Sequence, residues 1–258
     1  MGERDEVQIR ECATVEEFDA CVRLQREAFG LPDLELSPRR HLIVARSAGG
    51  WTLGAFAGES LVGFVLNQVA VRKSPSGGEE TIGYSHMMAV AKDYQNRGVG
   101  ARLKWAQRGR ALSEGRRFIR WTWDPMQSRN AHFNLRRLGV VVRRYAANFY
   151  GTDYSTATGK FGETLRLDSD RLVAEWELDS PRVEALARGE TPTPRGEPAA
   201  SVEIPTNWSV LIREDPETAR RELLRVRREF ETAFADGLVC AGFDRDPARP
   251  RYLLYSDE

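Results

Sequence analysis

Six consecutive residues, Gln95-Asn96-Arg97-Gly98-Val99-Gly100, lie between an alternating apolar segment and a segment with helical spacing. Glycines at the mouth of a helix leave backbone N–H groups bare, and the helix N-terminus adds a dipole that favours negative charge. The chemistry this suits is the cradling of a pyrophosphate, where several N–H donors meet at one spot. A side chain at Gly98 or Gly100 would block the approach. Two other phosphate motifs do not fit. A P-loop requires Gly-Lys-Ser/Thr, which does not follow. The dinucleotide fingerprint G-x-G-x-x-G requires glycine where Leu103 stands. The pattern that remains is Q-x-x-G-x-G.

The loop is useful only if a strand delivers it and a helix leaves it. Residues 81–91 alternate as a strand, with Tyr84, His86, Met88 and Val90 expected on one face. Residues 98–114 follow with Val99, Leu103 and Ala106 at helical spacing, and Gly115 ends the helix. Upstream, Thr14 and Glu17 have the spacing of a capping box for a helix that runs to Gly30. Segments 42–45, 51–57 and 61–71 are expected as strands, with Gly58-Glu59 as a turn. Downstream come a strand at 118–123, a short helix at 128–138, and strands at 140–145 and 172–178. Residues 187–200 carry three prolines and two glycines and are expected as a linker. Asp215 and Pro216 have the order of an N-cap and first helical residue, ahead of an apolar stripe at Leu223, Val226, Phe230 and Phe234. Two short strands, 238–243 and 252–255, close the chain.

Composition narrows the function. The chain has 258 residues, 41% of them hydrophobic and 29% charged, the balance of a soluble globular protein. No apolar run is long enough to span a bilayer, and the charged first ten residues lack the core of a signal peptide, so a cytoplasmic protein without membrane partners is expected. Cys12, Cys21 and Cys240 form no C-x-x-C pair and, with three histidines, give no zinc spacing; no metal is expected. Net charge is zero, yet residues 92–144 carry fourteen Lys and Arg against three acids. A local basic region in a neutral chain fits an anionic ligand held at one site, or a set of solvated helix faces.

Residues 88–103, Met-Ala-Val-Ala-Lys-Asp-Tyr-Gln-Asn-Arg-Gly-Val-Gly-Ala-Arg-Leu, resemble the central motif of the GNAT superfamily of acyl-CoA-dependent N-acyltransferases along its whole length. Asn130-Ala131 to Leu138-Gly139 resembles that family's N-A…L-G segment. The resemblance covers roughly residues 5–180. It implies an α/β fold: a mixed, mostly antiparallel sheet flanked by helices and splayed at the cofactor. The helix-containing α/β extension at 201–258 can bury little apolar surface alone, so it is expected to pack on the core or a partner subunit. Acetyl-CoA or another acyl-CoA is the implied co-substrate. Its pantetheine would meet the backbone at Met88, Ala89 and Val90, its pyrophosphate would lie on Gln95, Asn96, Arg97, Gly98, Val99, Gly100 and Ala101, and Asn130 would contact the cofactor arm.

The resemblance also bears on catalysis. His86 stands four residues before Val90, where the arylalkylamine acetyltransferases of the superfamily carry a histidine, and is the candidate base; the alternative is a hydrogen-bonded structural residue. The family's usual tyrosine acid falls on Leu135, so Tyr145 and Tyr150 are the candidates, with packing as their alternative role. The implied reaction moves an acetyl or other short acyl group to the primary amine of a small metabolite such as an amino acid, with walls at residues 30–40 and at Tyr145, Asn148, Tyr150 and Tyr154. Two other readings stay open: a catalytically silent CoA-binding scaffold, and a nucleic-acid-binding protein, which the neutral pI and missing binding motif disfavour. A homo-oligomer is also open.

Overall fold

The structure is a computed structural model that describes residues 6–30, 33–74, 77–151 and 167–257. Tyr154, named above as part of an acceptor wall, lies outside them. Backbone packing divides the chain into two compact units, residues up to Arg120 and residues from Trp121 onward. The division falls inside the segment for which the sequence suggested one domain.

The first unit opens with β1 (Val7–Glu11) and α1 (Val15–Phe29). Thr14 caps α1, and the capping box is complete: Thr14 Oγ1 accepts from Glu17 N at 3.2 Å, and Glu17 Oε2 accepts from Thr14 N at 3.2 Å. Residues 42–45 were expected as a strand, but they form part of helix α2 (Arg39–Ser47). Leu42 and Ala45 are its buried residues, while Val44 is 63% exposed. The short apolar run is one turn of an amphipathic helix, which periodicity over four residues cannot distinguish from a strand.

Strands β2 (Trp51–Ala57), β3 (Ser60–Lys73) and β4 (Glu79–Val90) form an antiparallel meander with β1, and β5 (Phe118–Trp123) joins β4 in parallel, giving the order β1-β2-β3-β4-β5. The crossover from β4 to β5 is α3 (Val99–Ser113), as a parallel pair requires. One sheet face meets α1 and α2 through Phe18, Cys21, Leu24, Leu42, Phe64 and Leu66. The other meets α3 through Val99 and Leu103 against Trp51, Leu53 and Val65.

In the second unit, α4 (Ser128–Ala131) runs into a π-helical turn at His132–Arg137, ahead of β6 (Val141–Ala146) and β7 (Arg171–Glu177). Then come α5 (Pro181–Ala187), β8 (Ala200–Glu203), α6 (Trp208–Glu214), α7 (Pro216–Ala235), β9 (Leu238–Asp244) and β10 (Arg251–Ser256). The strand order is β7-β6-β9-β10-β8, with antiparallel pairing throughout. Asp215 caps α7 by accepting from Thr218 N at 3.0 Å. Phe230 of α7 is fully buried, stacks on Tyr145 at 5.7 Å and meets Tyr252 edge-on at 5.1 Å. Residues 201–258 therefore share their core with β6. All three cysteines are buried and unpaired.

Candidate active site

The site is built on β4. Among the described residues, β4 registers with β5 at only two positions, Gly83↔Ile119 and Tyr84↔Arg120, whereas it follows β3 as far as Val90. Within the first unit its second edge is therefore unpaired from Ser85 onward. Ala91 N donates to Val62 O at 2.9 Å, so by antiparallel alternation Ala89 and Met87 turn their backbone groups toward β3. Those of Met88 and Val90 point to the open edge. Val90 O accepts from Gln95 Nε2 at 3.0 Å, which ties the end of the strand to the glycine turn.

His86 does not share a face with Met88 and Val90, which corrects the alternation expected from sequence. The β3–β4 register runs Leu66↔Met87 and then Asn67↔Ser85, so His86 is the extra residue of a β-bulge. A bulge puts two successive side chains on the same side. Met87 and Ala89 face α1 and α2, while Met88 and Val90 pack on the α3 side. His86 belongs with Met87: its Nε2 shares a hydrogen bond with Ser37 Oγ at 3.3 Å, and its ring meets His41 of α2 edge-on at 5.4 Å. Burial first, and then the neighbouring His41, holds the His86 pKa below the usual imidazole value. It is thus neutral near pH 7 and free to accept a proton.

The partners of His86 are themselves held. Gln25 of α1 accepts from Ser37 N at 2.9 Å and donates to Ser37 O at 3.1 Å. Gln68 Nε2 donates to His41 Nε2 at 2.8 Å. On the opposite face Lys104 is fully enclosed by α3 and the sheet, and burial lowers its pKa to about 7. Lys104 Nζ donates to Gln107 Oε1 at 3.0 Å, and Gln107 Nε2 donates to Asn67 Oδ1 at 3.1 Å. Sequence reading missed Ser37, His41, Gln25, Lys104 and Gln107. A buried lysine and glutamine three residues apart on one helix carry no motif.

The turn after β4 uses left-handed backbone at Asn96 (φ 60°) and Gly98 (φ 82°). Gly98 caps α3, and the first chain bond of the helix is Arg102 N to Gly98 O at 3.0 Å. The N–H groups of Val99, Gly100 and Ala101 precede that bond and have no acceptor within the helix. A Cβ on Gly98 would point into open space. One on Gly100 would meet Met88 Cε at 3.5 Å. Three bare donors over an unobstructed approach fit an anion such as pyrophosphate. Arg97 lies 5.6 Å over the Tyr94 ring, whereas Arg102 is committed to Val7 O at 2.6 Å.

Residues 16–139 match the model of the Acetyltransferase (GNAT) family. Residues 16–139 are a GNAT acetyltransferase domain. Solved structures share the fold. A putative GNAT acetyltransferase from Desulfovibrio desulfuricans gives a TM-score of 0.50 at 15% identity, covering 67% of this chain and 99% of its own. The ribosomal-protein-S18-alanine N-acetyltransferase from Escherichia coli gives 0.50 at 14% identity, covering 68% and 96%. A GNAT acetyltransferase from Elizabethkingia anophelis, solved with acetyl-CoA bound, gives 0.49 at 15%, covering 67% and 99%. No curated protein matches the chain by sequence.

As in the solved GNAT structures, the sheet is mixed and mostly antiparallel with flanking helices. The GNAT match includes Asn130, which is exposed on α4. In the second unit Tyr145 and Tyr150 differ sharply. Tyr145 donates from its hydroxyl to Asp170 Oδ2 at 2.7 Å, and burial followed by the Asp170 charge pushes its pKa well up. Arg227 holds Asp170 in turn, at 2.7 Å. Tyr150 is 55% exposed, with its hydroxyl 3.4 Å from Thr122 Oγ1. In the expected acceptor wall, Arg39 is ion-paired with Asp19 at 2.9 Å. Arg40 is exposed. Among the described residues no group of acids, histidines and cysteines could hold a metal, and no helix is long and apolar enough to cross a membrane.

Proposed function

We propose that the chain transfers an acetyl or other short acyl group from acyl-CoA to the primary amine of a small metabolite. The observation that carries this reading is the continuity of the open β4 edge at Met88 and Val90 with the bare N–H groups of Val99, Gly100 and Ala101. The edge suits an extended amide-bearing arm, and the turn suits the pyrophosphate at its end. Gln95, Asn96, Arg97 and Gly98 shape the turn, and Ala89 anchors the strand on the core. Asn130 keeps the contact to the cofactor arm that the family pattern gives it.

Bound acyl-CoA supplies the activated acyl carbonyl. The protein must then deprotonate the amine, orient it and return a proton to the departing thiolate. His86 takes the first proton. It is neutral near pH 7, and Ser37 Oγ on its Nε2 can relay the proton or fix the ring. Tyr150 is favoured over Tyr145 as the donor to the thiolate, because the Tyr145 hydroxyl is already given to Asp170. The half-buried cluster of Ser37, His41, Gln68 and His86 offers polar contacts suited to a compact amine, and Arg40 is a candidate partner for an acceptor carboxylate.

A thiol-release assay with acetyl-CoA and longer acyl-CoAs against free amino acids, small amines, lysine peptides and peptide N-termini tests the proposal. Release with free small amines supports it. Preference for peptides overturns the acceptor assignment. Binding of acetyl-CoA without release for any amine overturns catalysis.

A further inference from the structure

The second unit contains a cavity of about 760 Å³ between the start of α5, the 190–197 segment and the ends of β6, β7 and β10. Several charged groups on its wall are already matched. Arg143 holds Glu175 at 3.0 Å and Asp257 at 2.7 Å, and Glu190 is paired with Arg188 at 2.8 Å.

Arg182 is different. Its Nε is buried without a hydrogen-bond partner. Among the described residues, no ion pair involves Arg182, the lining Arg195 or nearby Arg136. Arg182 feels burial first and then the like charges of Arg195 and Arg136, which together lower its pKa from the usual guanidinium value. Glu177 and Glu197 also line the cavity. Arg195 lies 5.6 Å over the Tyr255 ring. A buried donor with no acceptor, under repulsion from two cations, is a local cost that an oxyanion would remove.

The geometry points to a second ligand site in this cavity, one that takes a small phosphate-bearing metabolite with its phosphate between Arg182 and Arg195. Guanidinium forks match phosphate oxygens. A phosphate monoester carries nearly two charges at neutral pH, which answers the two lining guanidinium groups of Arg182 and Arg195 better than a single carboxylate does. The volume lies in the range of small-molecule sites, and Tyr255, Pro192 and Pro194 give the organic part an apolar wall.

Inorganic phosphate and pyrophosphate are suitable probes, read by thermal unfolding against sodium chloride at matched ionic strength. The glycine turn can also hold these anions, so the site is read as a difference between parent and variants in which that turn is untouched. The parent should gain several degrees, and Arg182→Gln and Arg195→Gln should lose most of that gain. Arg188→Gln, outside the cavity wall, should retain it. An equal gain in every variant, or none in the parent, overturns the site. If the Arg182 variant does not fold, hydrogen exchange on the parent decides: phosphate should slow exchange across residues 181–197, and unchanged exchange there overturns the proposal.

Discussion

Lys104 Nζ donates to Ser85 Oγ across 2.8 Å, so a side chain of α3 grips the β4 residue immediately before the bulge. Through Gln107 the same lysine reaches Asn67, the residue paired with Ser85 on β3. Both strands are thereby pinned where β4 parts from β5 and where His86 leaves the alternation. Lys104→Met keeps the length and removes the donor. Turnover should fall about tenfold, or ~1.4 kcal/mol, with acetyl-CoA affinity little changed, if Lys104 positions His86. Equal turnover would reduce the network to packing. The lysine also has a stability signature. Its folded pKa of about 7 lies below the ordinary 10.5, so the unfolded chain holds more protons between those values. Parent stability therefore rises with pH across that window, and this slope should be missing in Lys104→Met.

His86→Ala should reduce kcat by about 10²-fold or more while acetyl-CoA still binds in calorimetry. Because the His86 pKa is lowered from 6.5, parent activity should hold through pH 6.5 and fall only below it as the ring takes a proton. The acid limb should disappear from the residual activity of the variant. A profile identical to the parent would make the histidine structural. Ser37→Ala should shift the same limb without abolishing turnover.

Gly98 and Gly100 serve the turn for different reasons, and substitutions should separate them. At Gly98 the φ of 82° penalises any side chain by about 1–2 kcal/mol, and the side chain would project over the helix mouth. Gly98→Val should lose acetyl-CoA binding with modest destabilisation. At Gly100 an added Cβ makes only ordinary contacts, 3.5 Å to Met88 and 3.9 Å to Val90. Gly100→Ala should therefore keep its melting temperature, while Gly100→Val should weaken acetyl-CoA at least tenfold, about 1.4 kcal/mol. Calorimetry with parallel thermal unfolding reads both effects, and unaltered affinity in both valine variants would remove the turn from the cofactor site.

Phe230 joins α7 to β6 and β10 through Tyr145 and Tyr252. Phe230→Ala should cost about 3–5 kcal/mol in chemical denaturation. A chain ending at Pro198 lacks β9 as well, and should aggregate or melt early because Val142 and Tyr145 lose their cover. An unchanged melting temperature in the shortened chain would make residues 201–258 an independent appendage.

What the sequence revealed followed the range of the interactions involved. The Thr14–Glu17 box, the Asp215-Pro216 helix start and the glycine turn are set by residues a few positions apart, and each is present as read. The bulge at His86 arises from pairing between two strands, so a strict period of two along β4 put the imidazole on the wrong face. Segment 42–45 was misassigned because one helical turn and a short strand look alike when four apolar residues run together. The Lys104 network was invisible because its members at 67, 85, 104 and 107 meet only after α3 folds back over the sheet. The engagement of Tyr145 by Asp170 is another long-range contact of this kind.

The burial of all three thiols has a practical side. Cys21 and Cys240 have their ionisation pushed up, and Cys12 is closed off from solvent with them. Thiolate is the reactive form, so a chromogenic disulfide reagent should leave the native protein untouched. Colour developing during turnover then belongs to liberated coenzyme, with no protein background to subtract. Full unfolding should release three equivalents at once, which makes the same reagent a gauge of how much of a variant preparation is correctly folded.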